Sequence, residues 1–374
     1  MALSKITNAS VADTAVHGRR NLIINGAMQV AQRGTSSTFS NGNAGYKVAD
    51  RWLIGEAGTE SFVFDISQST DAPDGFAYSY KLDCTTADAS LSAATQASLE
   101  QRIEAQDLQR LNYGTSSAKS LTLSFYVKSS KTGTYIAWFY QDDVLRSISA
   151  AYTINSANTW EKKTITIAGD TNGQIDNDNN SGFRVRFTLF AGTDFTSGTL
   201  QTSWGSSAND ADRYVGQVNL ADSTSNSWQI TGVQLEVGEA TPFEHRSYGE
   251  ELALCQRYYI KSGNVGTNTE WFAGVATYAG YGGSYAQCID GNQDRVVSHV
   301  KFPVYMRARP TVTYYPARSD SATTSNRLVK YNGTTLTTPT YYPSGDCNGL
   351  FGYFSGLSYD YVAFSFQFTA DAEL

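Results

Sequence analysis

The chain has 374 residues, 41% of them hydrophobic and 17% charged, which fits two ordinary globular domains or one large β domain with an appendage. Its net charge of −7, without clustered Lys and Arg, argues against a nucleic-acid-binding surface. No apolar run approaches the ~20 residues that a membrane-spanning helix needs, so membrane insertion is not expected.

Residues 1–18 are small and polar and lack the apolar core of a secretory signal. They predict a flexible N-terminal arm, which is a candidate docking segment. The protein is therefore expected to be made in a cytoplasm, where it stays or is assembled into a particle that later leaves. The first ordered stretch, RRNLIINGAMQVAQRG, begins at Arg19 and opens a domain predicted over residues 19–247.

Apolar and polar residues alternate along several short segments of this first domain, with turns about every ten residues. A period of two is typical of strands with one buried face. Its repetition over many short segments predicts a β-sandwich or jelly roll. The alternating segments are Ser61–Ser67, Tyr78–Cys84, Leu121–Ser129, Ile136–Tyr140 and Phe183–Leu189.

One segment of the first domain departs from this alternation. Thr95–Leu111 carries apolar residues at a spacing near 3.6 residues, namely Leu99, Ile103, Leu108 and Leu111. This pattern predicts one short helix, which would cover an edge or an end of the sandwich.

The stretch WQITGVQLEVGEATPFEHR, residues 228–246, predicts the strand that closes the first domain. Trp228 and Ile230 share one parity, whereas Val233 and Leu235 share the other, so the phase changes at Gly232. A glycine at a parity change inside a strand predicts a β-bulge.

A helix is predicted to follow the closing strand, because Ser247 and Glu250 have the spacing of a capping box. It would run from Tyr248 to about Tyr259, within a linking segment of residues 248–261. Residues 262–374 are again β-like and predict a second domain. The predicted fold class is mainly β, with two β-sandwich (jelly-roll-like) domains, a short linking helix, and one short helix in the first domain.

Sequence motifs of catalysis are missing: there is no HExxH, GxSxG, Walker A or dinucleotide-binding glycine pattern. The three histidines, His17, His245 and His299, lie far apart in the sequence. Adjacent carboxylates such as Asp142 and Asp143 would point to opposite faces of a strand, which does not suit glycoside hydrolysis. We therefore expect no enzymatic activity and no cofactor.

The four cysteines, Cys84, Cys255, Cys288 and Cys347, form no CxxC pair. Scattered cysteines of this kind are expected to be buried free thiols. A bridge between Cys288 and Cys347 is the alternative that the sequence leaves open.

Asp170, Asp176 and Asp178 are the candidate metal ligands, because they lie in one acidic run. The run contains an Asp-x-Asp-x-Asn start like that of an EF-hand loop. However, Ser181 stands at the glycine position and Phe187 at the position of the bidentate acid. A long hairpin turn is therefore the main interpretation, and a structural calcium site of another geometry is the alternative.

Aromatic side chains are the remaining candidates for binding, because Tyr and Trp present an apolar ring together with a polar atom. Trp138, Trp160 and Trp228 follow strand patterns and are expected in the core. Tyrosine beside glycine combines a rigid anchor with an adaptable backbone, as in binding loops. The candidate glycan-binding residues are Trp271, Tyr278, Tyr281, Tyr285, Tyr341, Tyr342 and Tyr353, with packing or subunit contact as the alternative role.

Three segments resemble the lectin-like domain of bacteriophage tail-fibre and appendage proteins. They are RNLIINGAMQVAQRG with YKVADRW, then QRIEAQDLQRL with KSLTLSFYVKSSKTGTY, and finally WQITGVQLEVGEATPFEHRSYGEELALCQRYY; together they span about residues 20–260. The segment FPVYMRARPTVT is similar to the distal domain that often follows. The resemblance implies a virion structural protein with a jelly-roll, carbohydrate-binding-module-like fold, commonly trimeric and often in contact with host glycans.

The resemblance leads us to expect a bacteriophage tail fibre on the outside of the virion. Residues 1–18 would dock it to a tail or baseplate protein, and residues 262–374 would form the tip that meets host polysaccharide or protein. A capsid-decorating or tail-assembly protein without receptor binding is one alternative. A capsular polysaccharide depolymerase is the other.

Overall fold

The computed structural model describes residues 19–262, 275–276, 286–287, 295–316, 340–355 and 364–374. The chain divides into two compact units, and the boundary lies between Glu251 and Leu252. Both units are mainly β, and all of their described strand pairs are antiparallel. None of the helices in these ranges is both long and apolar enough to span a membrane.

Thirteen strands and a few short helices make up the described part of the first unit. The strands are β1 (Ser36–Ser40), β2 (Gly45–Tyr46), β3 (Leu53–Ala57), β4 (Val63–Ser69), β5 (Ser79–Thr86), β6 (Gln96–Glu104), β7 (Leu121–Ser129), β8 (Gly133–Gln141), β9 (Arg146–Ile154), β10 (Glu161–Ile167), β11 (Ser181–Ala191), β12 (Gly205–Ser206) and β13 (Ser227–Val237). Helix α1 is Thr193–Thr196, and 3-10 helices cover Ala105–Leu111, Asp210–Asp212 and Leu220–Asp222. Helix α2, Tyr248–Gln256, contains the boundary between the two units.

The thirteen strands form two sheets that pack face to face as a β-sandwich. Sheet A has the order β1-β4-β5-β13-β7-β10, and sheet B has the order β12-β9-β8-β11-β6-β3-β2. The inward side chains of both sheets build one core, in which the ring of Phe125 from sheet A lies 5.0 Å from that of Phe187 in sheet B. Most of the alternating apolar residues lie in this core, and the mainly β prediction is confirmed. Ile136 and Trp138 are the exceptions, because they face outward into a separate small cluster.

The predicted bulge in the closing strand is confirmed. β13 pairs with β7 in register up to Thr231, and the pairing resumes at Gln234 with two residues of β13 opposite one residue of β7. Gly232 has a φ of +60°, in the left-handed region that glycine adopts at low cost. Trp228, Ile230, Val233 and Leu235 all point into the core because the bulge resets the phase between the two pairs.

The predicted helix over Thr95–Leu111 is wrong in its first half. Residues 96–104 form β6, which lies inside sheet B between β11 and β3, and only Ala105–Leu111 is helical, as a 3-10 helix. Leu99 and Ile103, four residues apart, satisfy the period of a strand as well as that of a helix. Residues 96–104 form a strand because they pair with β11 on one side and with β3 on the other. They therefore do not cover an edge of the sandwich.

The capping box at the start of α2 is confirmed, and the helix is shorter than predicted. The Glu250 carboxylate accepts hydrogen bonds from the backbone nitrogen of Ser247 at 2.9 Å and from its hydroxyl at 2.8 Å. The helix ends at Gln256, and Tyr259 begins a strand instead of closing the helix.

Beyond the bulge, the neighbour of β13 is no longer β5 but the N-terminal segment of the first unit, which contains Asn21 and Gly26. β5 pairs with β13 only as far as Ile230. Further along, the backbone nitrogen of Val233 donates to the Gly26 carbonyl at 3.0 Å, and the Asn21 side chain donates to the Val233 carbonyl at 3.0 Å. A Cβ on Gly26 would lie 2.1 Å from that carbonyl oxygen, so only glycine fits there.

The segment that follows β13 also forms hydrogen bonds with this N-terminal segment. The Glu244 carboxylate accepts from the backbone nitrogens of Arg20 and Asn21 at 3.1 and 3.0 Å, and Arg246 pairs with it at 3.0 Å. Burial alone would raise the pKa of Glu244, but these donors outweigh it and lower the pKa. The first and last parts of the first unit are therefore tied together through one carboxylate.

The described part of the second unit contains two antiparallel sheets. Its strands are β14 (Tyr259–Lys261), β15 (Val275–Ala276), β16 (Ala286–Gln287), β17 (Arg295–Lys301), β18 (Thr311–Pro316), β19 (Thr340–Asp346), β20 (Gly349–Ser355) and β21 (Phe364–Asp371). β14, β15 and β18 all pair with β21, and the other sheet has the order β16-β17-β20-β19. Cys347 in this unit and the buried Cys84 of the first unit are free thiols, whereas Cys288 lies outside the described residues.

Gly232→Ala is expected to destabilise the first unit by about 3 kcal/mol, through a strained left-handed alanine and through a Cβ only 2.6 Å from the Phe76 ring. Gly42→Ala is the matched control, because Gly42 also has a positive φ but has open space around its Cβ position. It should lose about 1 kcal/mol. Urea unfolding followed by tryptophan fluorescence measures both values, and equal losses would contradict the steric argument.

Glu244→Gln is expected to lower the free energy of unfolding by about 2 kcal/mol near neutral pH, because several hydrogen bonds to a charged group are weakened. Since the native pKa of Glu244 is lowered, its contribution is fully present above the unfolded pKa of about 4.3 and is lost as the pH falls from there through the lower native pKa. The difference in unfolding free energy between the variant and the unsubstituted protein should therefore shrink as the pH falls below about 4.3. Glu239→Gln, at an exposed position, is the control, and a gap independent of pH would refute the carboxylate's role.

Candidate functional site

The outer face of sheet A carries an open groove of about 500 Å³. Its floor is formed by outward-facing residues of β7, β10 and β13. One wall comes from the segment between β4 and β5, and the other comes from the segment after β13. Segments that are distant in the sequence thus meet over the bulge of the closing strand.

Four rings line the groove, and they form one aromatic cluster. The Phe76 ring lies 5.5 Å from Tyr126, 4.9 Å from Phe243 and 5.4 Å from His245, measured between ring centroids. Phe76, Tyr126 and Phe243 are half-buried and His245 is exposed, so the rings are partly open to solvent. The bulge allows this arrangement, because the Phe76 ring occupies the space where any side chain at position 232 would stand.

The Asp71 carboxylate holds one wall of the groove against the sheet. It accepts hydrogen bonds from the Lys128 ammonium at 2.7 Å, from the Trp160 indole nitrogen at 3.1 Å and from the Gln229 amide at 3.1 Å. The hydrogen bond from Lys128 lowers the pKa of Asp71, so the carboxylate is ionised at neutral pH. One residue of the wall therefore fixes three side chains on the outer face of sheet A.

Trp160 is half-buried on the surface, so the prediction that it belongs to the core is wrong. Trp138 and Trp228 are buried, as expected. Trp160 immediately precedes β10 and has the parity of the outward-facing Lys162, not that of the inward-facing Ile165. The Lys128 ammonium lies 5.9 Å from the centre of its ring and, with Asp71, orients the indole.

Hydrogen-bonded polar side chains fill the floor beside the rings. The Gln234 amide donates to Glu236 at 2.7 Å, and its oxygen accepts from the backbone nitrogen of Glu244 at 2.8 Å. The Glu236 carboxylate accepts from the backbone nitrogen of Thr241 at 2.8 Å. These bonds fix the second wall, and the exposed Lys162 adds a charged donor at the rim.

The outer face of sheet B differs, because the segment over residues 192–217 covers part of it. Trp138 there is 4% exposed, and the guanidinium groups of Arg186 and Arg213 each lie 4.9 Å from the centre of its ring. Phe195 and Tyr214 from the covering segment pack on the same ring system. These aromatic residues form a small second core and leave sheet A with the open aromatic surface.

The glycan-binding candidates from the sequence all belong to the second unit. Tyr341, Tyr342 and Tyr353 lie in β19 and β20, where Tyr342 is the cross-strand partner of Tyr353. The other four, Trp271, Tyr278, Tyr281 and Tyr285, lie outside the described residues. Their role as binding residues stays a prediction.

The calcium candidates are not brought together around one point. The Asp170 carboxylate is 1% exposed, is held by Arg146 at 2.6 and 3.1 Å, and also accepts from Gln141 at 2.7 Å. A guanidinium on both oxygens repels a cation, so Asp170 does not fit a calcium ion. Within the described ranges no three His, Cys, Asp or Glu side chains are arranged to hold a metal, and a site built on Asp176 and Asp178 stays a prediction.

Sequence reasoning missed the residues that form the groove. Phe76 and Phe243 lie in segments without regular alternation, and no local pattern marks them as neighbours. A signal did exist for Trp160, because its separation of two residues from Lys162 places both on the polar face of the following strand.

Comparisons with known proteins give structural likenesses only, since no family model and no curated protein matches the chain. The enzymatically active domain of tailspike protein 4 of bacteriophage CBA120 is 13% identical, with a TM-score of 0.32; the match covers 59% of this chain and 22% of that one. TmCBM61 in complex with β-1,4-galactotriose is 9% identical over 59% of this chain and 99% of its own, with a TM-score of 0.28. The family 11 carbohydrate-binding module of a Clostridium thermocellum cellulosomal cellulase is 10% identical over 60% and 97%, with a TM-score of 0.27. Likenesses at such low TM-scores carry no functional argument.

Proposed function

We propose that this protein binds glycans in the groove on the outer face of sheet A. The observation that supports the proposal is the aromatic cluster of Phe76, Tyr126 and Phe243 over the bulge, with Trp160 held nearby by Asp71. Half-exposed rings provide apolar faces for the C–H surface of a sugar, and the adjoining polar groups can bond to its hydroxyls. Fixed walls keep the cost of ordering the site low.

We further propose that the whole protein is a bacteriophage tail fibre that binds host-surface glycans and is not an enzyme. One support is the resemblance of three segments over residues 20–260 to such proteins. These segments also contain the residues that join the two ends of the first unit, namely Asn21, Gly26, Glu244 and Arg246. In this proposal residues 1–18 dock the protein to a tail or baseplate protein. A capsid-decorating or tail-assembly protein without receptor binding is the alternative.

Tyr126→Ala and Phe243→Ala are each expected to weaken glycan binding by at least about tenfold, because each removes a ring that lines the groove. The probe is an array of bacterial surface polysaccharides, and calorimetry on the full chain then measures Kd for each hit. Tyr248→Ala is the matched control, since Tyr248 is 57% exposed but does not line the groove. Unchanged affinity in both groove variants, or no binding to any polysaccharide, would refute the groove. Loss only in Tyr342→Ala or Tyr353→Ala would move the site to the second unit.

Labelling this protein on the assembled virion is expected to mark the tail, and light scattering of the purified chain is expected to give a trimer. A label on the capsid would favour the decorating protein, and a stable monomer at micromolar concentration would contradict the trimer. The same preparation also tests the depolymerase alternative. Release of reducing ends from a bound polysaccharide would overturn the non-enzymatic proposal.

A further inference from the structure

A second cavity, of about 450 Å³, lies at the side of the first sandwich. Its walls come from β9 near the edge of sheet B, from the edge strand β10 of sheet A, and from residues 168–172 and 202–204. It shares no lining residue with the groove on sheet A. We call it the side pocket.

The side pocket contains one guanidinium whose position is fixed by its neighbours. Arg146 donates through Nε and Nη2 to the Asp170 carboxylate at 2.6 and 3.1 Å, and through Nη2 to the Trp204 carbonyl at 3.2 Å. Asp170 itself accepts from the Gln141 amide at 2.7 Å and from the backbone nitrogen of Asn172 at 3.0 Å. The two donors of Arg146 Nη1 have no hydrogen-bond partner within the described residues, so they are available to a ligand.

Charge in the side pocket is balanced. Arg146 and Asp170 are the charged residues among its lining, and they form a bidentate ion pair with each other. An anionic ligand would gain little there, because the carboxylate already neutralises the guanidinium. A neutral ligand with hydroxyl acceptors would instead satisfy the donors of Arg146 Nη1 without adding a charge.

The remaining lining suits the apolar and hydroxyl faces of such a ligand. Trp204 is half-buried, its indole nitrogen donates to the Ala168 carbonyl at 2.7 Å, and the Tyr113 ring packs on it at 5.9 Å. Its ring is therefore held in place where it borders the pocket. Thr202 and Ser203, which are exposed, also line the pocket and carry hydroxyl groups.

We propose that the side pocket is a second binding site for a neutral sugar unit, held by Arg146 Nη1 and by the Trp204 ring. The volume lies within the range of small-molecule sites. The site depends on residues that the groove on sheet A does not use, so it stands whether or not the groove binds glycans. Two sites on one unit would let one polysaccharide bind with an increased effective concentration.

The test uses the full chain labelled with 5-fluorotryptophan and fluorine NMR, in which Trp204 reports on the side pocket and Trp160 on the outer face of sheet A beside the groove. The probes are glucose, galactose, mannose and N-acetylglucosamine, with glucuronate and N-acetylneuraminate as charged counterparts. A saturable shift of the Trp204 signal with at least one neutral sugar is expected. No shift with any neutral sugar, or a shift with the charged sugars alone, would overturn the proposal. A shift of the Trp160 signal alone would support the groove and overturn the side pocket.

Two variants connect the response to the pocket. Thr202→Tyr fills the opening and is expected to abolish the Trp204 response, whereas the control Thr224→Tyr, at another exposed position, should leave it unchanged. Arg146→Lys keeps a positive charge for Asp170 but removes the Nη1 donors, and it should weaken binding about tenfold or more. Unaltered binding in both Thr202→Tyr and Arg146→Lys would refute the assignment, even if the Trp204 signal shifts.

Discussion

The bulge in β13 is the constraint on which the first unit depends. By resetting the phase at Gly232, it keeps Val233 and Leu235 in the core after Trp228 and Ile230. β5 no longer pairs with β13 beyond Ile230, so the backbone groups of Val233 are taken by the N-terminal segment instead. On the outer face the missing side chain leaves space for the Phe76 ring. The core packing, the pairing with the N-terminal segment and the shape of the groove therefore all depend on Gly232.

The strands of both sheets show the same alternation of apolar and polar residues, but the outer faces of the two sheets are covered differently. On sheet B, a segment between β11 and β13 packs on Trp138, whose ring contacts two guanidinium groups. On sheet A, the covering segments stop at the walls of the groove, where Asp71 and Glu236 hold them in place. The hydrogen bonds of these two carboxylates thus hold the walls beside the aromatic rings of sheet A, which stay partly exposed.

Local signals predicted most strands of the first unit, because alternation with one buried face needs only neighbouring residues. The capping box at Ser247 and the bulge at Gly232 were predictable for the same reason. Residues 96–104 were misread because Leu99 and Ile103 fit two periods, and only the pairing with β3 and β11 distinguishes them. The core prediction for Trp160 is wrong because its indole has the parity of the outward-facing Lys162 in β10.

The sequence by itself determined the mainly β class, the inward face of most strands and the positions of the bulge and the helix cap, since each follows from spacing along the chain. Only the tertiary structure decided where a ligand can bind. The groove joins Phe76, Tyr126 and Phe243, and the side pocket joins Arg146 with Trp204. Their side chains come from segments separated by tens of residues, and they meet because the two sheets set the position of each connecting loop, which no local pattern encodes.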